Sequence, residues 1–341
     1  MTKKINVAVI CGGVSNERDI SLKSGQQVAR SLPAKYSTHL IEIQKDGKWL
    51  LGSSGQQQIL AGAGKAIVPH EPGQLGGFDV AFIAMHGKFG EDGKIQALLE
   101  TLGVPYTGSG VLASALGMNK RKTLELVSKY GIKTPEFIFL YSLPKSKIEL
   151  TELKRIIAKK IGYPCVIKPN ESGSSLGISI IKKEKEVQGG LRKAFNEDSE
   201  VLIEEYIKGI ELTCAVIGNS GRTPLVALPA LEIVTKNDFF DYDAKYSKET
   251  QEICPARINI KQTEELQKLS KNIHEIIGCD GLSRSDFILG SKNNFYFLEI
   301  NTIPGLTEHS LSPKEAAAAG MTFPEFLEKQ VQLALLKKKI K

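Results

Sequence analysis

The apolar positions of this chain form two kinds of segment: unbroken runs that end in glycine-rich turns, and stretches that alternate residue by residue. Residues 5–10, Ile-Asn-Val-Ala-Val-Ile, read as a buried parallel strand entering a turn at 11–21 and then a helix to about residue 32. Residues 78–85 are a second apolar strand, capped by His86-Gly-Lys-Phe-Gly-Glu-Asp-Gly93. A helix from Asn119 to about Tyr130 is stopped by Gly131 and Pro135. Strands at 164–169 and 178–182 flank a Gly/Ser loop, 170–177. Further strands are predicted at 201–207, 211–217 and 225–234, and helices at 263–277, 313–319 and 323–336. Residues 44–77 are polar and Gly-rich and read as surface turns.

Near the C-terminus two alternating runs are separated by Gly290-Ser-Lys-Asn-Asn294, a turn composition. In the first run Arg284, Asp286 and Ile288 share a face. In the second, Phe295, Phe297, Glu299 and Asn301 do. A hairpin with a two-residue loop pairs Asp286 with Glu299 and Arg284 with Asn301, or else Asp286 with Asn301. An odd-length loop without a bulge breaks either register. Adjacent carboxylates repel unless something positive joins them. An all-oxygen set without His or Cys suits Mg²⁺ or Mn²⁺, and Mg²⁺ held by few carboxylates completes its shell with substrate phosphates. The hairpin therefore predicts a nucleotide.

Composition narrows the class. The 341 residues are enough for two or three domains, and 41% hydrophobic with 24% charged is ordinary for a soluble protein. No apolar run approaches the ~20 residues of a membrane helix. Five scattered cysteines without a Cys-x-x-Cys suggest neither a disulfide framework nor zinc, and fit the cytosol. Net charge is +7, but the basic residues are dispersed, so no nucleic-acid partner is expected and an anionic small substrate accounts for the surplus. The first strand and turn open like a Rossmann unit but lack Gly-x-Gly-x-x-Gly, so an NAD-dependent oxidoreductase is a remote reading. Lys168 stands inside an apolar strand and needs a negative partner. Lys120 stands in a helix's first turn, where a cation is disfavoured, which hints at an anionic partner.

Lys120, Lys168 with its Gly/Ser loop, Glu204-Glu-Tyr-Ile207 with Glu211, and Asp286, Glu299 and Asn301 occur in the order of the ATP-grasp enzymes. Gly12-Gly-Val-Ser-Asn-Glu-Arg-Asp-Ile-Ser21, the His86–Gly93 run, Pro105-Tyr-Thr-Gly-Ser-Gly110 and Asn301-Thr-Ile-Pro-Gly-Leu-Thr-Glu-His-Ser-Leu311 narrow this further. Over nearly its whole length the sequence resembles the D-alanine–D-alanine ligases. The resemblance implies an α/β (α+β) fold. A Rossmann-like parallel-sheet domain at 1–118 would precede a central ATP-grasp lobe at 119–204 and a C-terminal lobe at 205–341 carrying the metal and substrate site. It implies ATP and two Mg²⁺ (or Mn²⁺), D-alanine substrates joined through an acyl phosphate for peptidoglycan synthesis, a homodimer and the cytoplasm.

The resemblance also implies roles. Lys120, Lys168, Ser174, Ser175, Glu204, Ile207, Glu211 and Lys245 would bind ATP, and Asp286, Glu299 and Asn301 the metals. Glu17 would take the first ammonium, and His86 would contact the transferring phosphoryl group. Arg284 and the Gly305 N–H would form the oxyanion site, and Ser310 and Leu311 would seat the second carboxylate. Tyr246 would join Ser174 and Glu17 in a hydrogen-bonded network; it matches the dipeptide-forming pattern, against relatives making D-Ala-D-Ser or D-Ala-D-lactate. Asn119 departs from the family's usual Asp but is still expected to cap its helix.

Overall fold

The computed structural model describes residues 4–52, 65–69, 74–173, 176–234 and 250–338. The first sheet holds β1 (Ile5–Gly12), β2 (Tyr36–Ile43), β3 (Trp49–Leu51), β4 (Lys65–Ile67) and β5 (Val80–Ile83), in the order β4-β3-β2-β1-β5. β1 runs parallel to both β2 and β5 and is buried at its core residues, which is why it reads as a continuous apolar run. The stretch expected to be only surface turns contributes β3 and β4, paired antiparallel at the sheet's edge.

The central sheet is β6 (Phe137–Leu140), β7 (Cys165–Pro169), β8 (Ser179–Ile181) and β9 (Val201–Glu205), in the order β6-β9-β7-β8 and antiparallel throughout. Side chains alternate across it. Ile167, Val201 and Ile203 pack with the helices Lys147–Lys160 and Val187–Glu197 into this lobe's own core. Leu202 joins the core of the third sheet instead, and Lys168 lies opposite Leu202 in the register. Lys168, Leu202 and Glu204 thus occupy the face turned towards the third sheet.

That sheet contains β10 (Ile210–Ile217), β11 (Val226–Ala227), β12 (Leu231–Val234), β13 (Gln251–Ile253), β14 (Leu282–Leu289) and β15 (Phe295–Asn301). Its order is β13-β12-β10-β14-β15, with β11 on β10. The single strand expected at 225–234 is split around Pro229, which has no N–H to give a ladder. Beside the gap the Ala215 N–H donates 2.7 Å to Glu315 Oε2 rather than to a strand.

One face of the third sheet packs on the helix Ile260–Ile277. The other is fused with the first sheet: Ala215, Ile217, Leu282 and Ile303 share one apolar cluster with β1 and β5. The helix Phe323–Lys338 returns to that same cluster through Phe326, Leu327 and Val331. The N-terminal and C-terminal parts are joined by a common interior; the central lobe has a core of its own and meets the third sheet's core through Leu202.

Candidate active site

The hairpin β14–β15 brings its polar residues together, by a route that strict alternation misses. Arg284 lies opposite Asn301 and Asp286 opposite Glu299, the first of the two expected registers. Nearer the turn, however, Phe287 pairs with Phe297 and Leu289 with Phe295, and a β-bulge between the two zones changes the register by one residue. Phe295 and Phe297 therefore do not share the face of Glu299. They pack edge-on against Phe287 in the core, at 6.5 and 5.7 Å between ring centres. The turn is odd in length, and the bulge restores the pairing that gathers the acids.

Arg284 grips Asp286 with two parallel bonds, Nε to Oδ1 at 2.8 Å and Nη2 to Oδ2 at 2.7 Å, and is buried. Asn301 Nδ2 donates to Asp286 Oδ2 at 3.2 Å. Lys120 Nζ donates to the Ser172 carbonyl at 2.7 Å and stands 3.4 Å from Glu299 Oε2. Burial pushes the Glu299 carboxyl up, but Lys120, then Lys168 and Arg284, outweigh it and hold the group below the usual carboxylate range. One carboxylate is thus the common counter-charge of three cations, one on the helix Lys120–Ser128, one on β7 and one on β14.

Across the cleft Lys168 Nζ meets Glu204 Oε2 at 2.8 Å, with both side chains almost fully buried. Glu204 Oε1 is buried with no hydrogen-bond partner in the described structure. An orphaned acceptor beside a buried ammonium suits a ligand with an amino donor on one side and anionic groups on the other, as an adenine nucleotide has. Ile207 and Glu211 are half-buried just beyond, where β9 passes into β10.

Among the described residues no three His, Cys, Asp or Glu side chains gather as a metal cluster. The candidate set is two carboxylates and one amide, all oxygen donors. It fits a hard divalent cation that takes its other ligands from phosphate, and does not fit zinc.

Glu17 lies at the N-terminus of the helix Arg18–Ser31 and reaches across to two loops. A Cβ added at either Gly87 or Gly173 would stand 2.6 Å from Glu17 Oε2, so the carboxylate lies against both loops, and Gly87 in addition has φ +74°, a conformation that favours glycine. Gly305 is similarly crowded: a Cβ there would meet Ser310 Oγ at 2.8 Å. Ser310 precedes the helix Leu311–Ala318, but its hydroxyl is held by Thr307 Oγ1 at 2.7 Å and makes no cap bond. Of that helix's first three positions Leu311 and Ser312 carry an N–H and Pro313 does not, and neither N–H receives a cap bond from the Ser310 side chain. Asn119 caps Lys120–Ser128 by accepting from Lys122 N at 3.0 Å, and its amide also donates to Glu171 at 2.6 Å, which an ionised Asp cannot do.

His86, expected to contact the transferring phosphoryl group, has protein partners at its ring. It is buried, with Nε2 3.0 Å from Ser24 Oγ and Nδ1 3.1 Å from the Ile303 carbonyl, so both ring nitrogens already have protein partners. Ser174, Ser175, Lys245 and Tyr246 lie outside the described residues. Two acids received no role from sequence. Glu91 accepts from Gly87 N at 2.7 Å and Ile303 N at 3.3 Å; burial and then Glu17 push it up to about 8. Glu315, beneath Arg284 and Asp286, is also pushed up to about 8, chiefly by burial. The signal for Glu91 was its place in a strand-terminal Gly-Glu-Asp-Gly turn, and for Glu315 a lone acid in an alanine-rich helix.

A larger cavity, about 260 Å³, lies elsewhere, lined by Tyr106, Arg222, Asp280 and Lys337. Its charges pair with one another, Arg222 to Asp280 at 3.1 Å and Lys337 to Asp280 at 3.7 Å. The chemistry-bearing residues line the narrower crevice between Lys120, Ser172, Gly173, Glu91, Glu299 and Asn301.

Two antiparallel sheets facing each other across a cleft, with lysines on one side and an acidic hairpin on the other, define an ATP-dependent ligase of the ATP-grasp type. Residues 6–109 match the family model of the D-Ala-D-Ala ligase N-terminus, and residues 126–332 that of the C-terminus. The D-alanine–D-alanine ligase of Pelotomaculum thermopropionicum is 39% identical over 333 residues, 97% of each chain. That of Flavobacterium johnsoniae is 40% identical over 331, covering 97% of this chain and 99% of its own. Among solved structures, the D-alanine–D-alanine ligase of Coxiella burnetii superposes with a TM-score of 0.84 at 27% identity, covering 99% of this chain and 96% of its own. The VanG D-Ala:D-Ser ligase of Enterococcus faecalis gives 0.83 at 32%, covering 97% and 99%. The chain belongs to the D-alanine–D-alanine ligase family, ATP-dependent enzymes that supply peptidoglycan synthesis.

Proposed function

We propose that this chain joins two D-alanine molecules at the expense of ATP, with Mg²⁺ or Mn²⁺ held by Asp286, Glu299 and Asn301. The observation that carries this is Glu299: an ionised carboxylate beside Asp286 and Asn301 on which Lys120, Lys168 and Arg284 all converge. Two divalent cations on those oxygens would neutralise the triphosphate. Lys120 and Lys168 exchange their present carboxylate partners for phosphate oxygens. Glu204 Oε1 takes the adenine amino group beside Ile207, and Glu211 takes the ribose hydroxyls.

A carboxylate is a poor electrophile, so the reaction class runs through an acyl phosphate on the first D-alanine. Glu17 holds that molecule's ammonium group. The N-terminus of the helix Leu311–Ala318, with Ser310, holds the second carboxylate. When the second amine, as the free base, attacks, the C–N bond forms, the carbonyl oxygen becomes an oxyanion, and phosphate leaves as the carbonyl returns, with the proton lost by the amine ending on the phosphate. Arg284 and the Gly305 N–H stabilise that oxyanion; one such donor is worth roughly 10²–10³ in rate. We assign Ser174, Ser175 and Lys245 to closure over the phosphates, and Tyr246 to a contact with Ser174 and Glu17. Five free cysteines fit a reducing cytoplasm, and a homodimer is the proposed assembly, to be checked by light scattering.

The test is phosphate release from Mg-ATP. It should appear only with D-alanine, stop with a chelator, and give one dipeptide per phosphate. Release driven by L-alanine but not D-alanine, or a product containing D-serine or D-lactate in preference to a second D-alanine, would overturn the assignment.

A further inference from the structure

Ile303 stands two residues from Asn301 and two from Gly305, between a proposed metal ligand and a proposed oxyanion donor. Its main chain is held by side chains more than 200 residues away in sequence. Glu91 Oε1 accepts the Ile303 N–H at 3.3 Å, and His86 Nδ1 lies 3.1 Å from the Ile303 carbonyl. A carbonyl only accepts, so Nδ1 carries a proton and donates to Ile303, while Nε2 meets Ser24 Oγ at 3.0 Å. The grip is anchored in turn. Ser15 Oγ donates to the His86 carbonyl at 2.7 Å, and Glu91 Oε2 accepts the Gly87 N–H at 2.7 Å. Pro304 follows Ile303 and offers no N–H of its own.

We propose that His86 and Glu91 are paired positioning residues, which fix the Asn301–Gly305 segment by holding the N–H and the C=O of Ile303 together. They belong to the same loop that touches Glu17: a Cβ at Gly87 would meet that carboxylate. The grip thereby sets the distance between the ammonium site on Glu17 and the reacting carbon under Gly305. It gives His86 a main-chain partner at Ile303. This inference rests on the ligase reading for its effect on rate, but not for its geometry.

The two ring nitrogens separate the possibilities. An Asn amide nitrogen can occupy the place of His Nδ1, whereas a Gln amide reaches towards Nε2. His86→Asn should keep the donor to Ile303 and retain about tenfold more kcat than His86→Gln or His86→Ala. Glu91→Gln can accept only one of its two N–H groups and should lose about 10–100-fold in kcat. The KM for ATP should move little in all of them, because Lys120 and Lys168 are untouched. Hydrogen exchange gives a readout independent of catalysis: the peptide covering 301–307 should exchange about tenfold faster in Glu91→Gln and His86→Ala, with β1 unchanged. Gln outperforming Asn at position 86 would overturn the proposal in favour of an Nε2 contact. Unchanged exchange in both variants would overturn it outright. Faster exchange in both variants, with a wild type that shows no D-alanine-dependent phosphate release, would sink the ligase reading and leave the grip standing.

Discussion

The two sheets that face each other across the cleft are built alike and charged differently. Each gives one face to its own helices and carries its cleft-lining charges on the other, which in the C-terminal sheet also packs on the first sheet. The central sheet shows that cleft one ammonium and one carboxylate, Lys168 and Glu204, which cancel at 2.8 Å in near-complete burial. The C-terminal sheet shows Arg284 against Asp286 and Glu299, an acid in excess that Lys120 balances from a helix. A buried pair costs several kcal/mol per ion to desolvate, so the central sheet keeps its charges for a partner that will separate them. The acidic excess opposite is what a divalent cation repays. The contrast extends to anchoring: the C-terminal sheet shares its interior with the N-terminal one, and the central lobe does not.

The sharpest way to break this comparison is Lys168→Met. It strands Glu204 in the interior and should cost about 3–5 kcal/mol, read as a lower denaturation midpoint for the central lobe. Lys168→Met with Glu204→Leu should regain most of that stability while nucleotide binding stays lost. If the double variant still binds ATP, the central sheet's charges are structural only. Arg284→Lys keeps the charge and loses the fork on Asp286. It should lower kcat by roughly 10²–10³ while the KM for ATP, set across the cleft, changes far less.

Acid should loosen the C-terminal side first. His274 is buried behind that sheet, 2.7 Å from Ser283 Oγ and 3.2 Å from the Gly218 carbonyl, and burial lowers it to about 4. The folded protein keeps it neutral while the unfolded chain takes up a proton below about pH 6.5. Stability should therefore fall as pH drops from 6.5 towards 4, by about 2 kcal/mol at pH 5 from this group, and His274→Gln should flatten that slope. Smallest is the central lobe's own cap: Ser146 Oγ accepts Glu149 N at 3.1 Å. Ser146→Ala should cost about 1 kcal/mol there. Melting curves that fall equally in both parts would show one cooperative unit and remove the distinction.

Much of this was legible in the chain because alternation is a local signal. Arg284, Asp286, Glu299 and Asn301 declared one face, and Lys168 an ion in an apolar strand. The bulge at the hairpin was not legible, since an odd turn and a compensating extra residue leave the same sequence pattern as a regular ladder. The break at Pro229 was visible in principle but overruled by the apolar residues on either side. Glu91 and Glu315 escaped because their partners, Ile303 and Ala215, are main-chain groups distant in sequence. The return of the helix Phe323–Lys338 to the first sheet is likewise non-local: its apolar residues say that it packs, not against what.

The account rests on a divalent cation joining the acidic hairpin to a nucleotide held from the opposite sheet. Calorimetric titration of ADP into the protein, with and without Mg²⁺, tests that link directly in the wild type and in Glu299→Gln. Mg²⁺ should tighten ADP binding by about tenfold or more in the wild type, as expected for a shared metal, and leave the variant's weaker binding unchanged. Equal tightening in both proteins would contradict the assignment of Glu299 and of the hairpin with it.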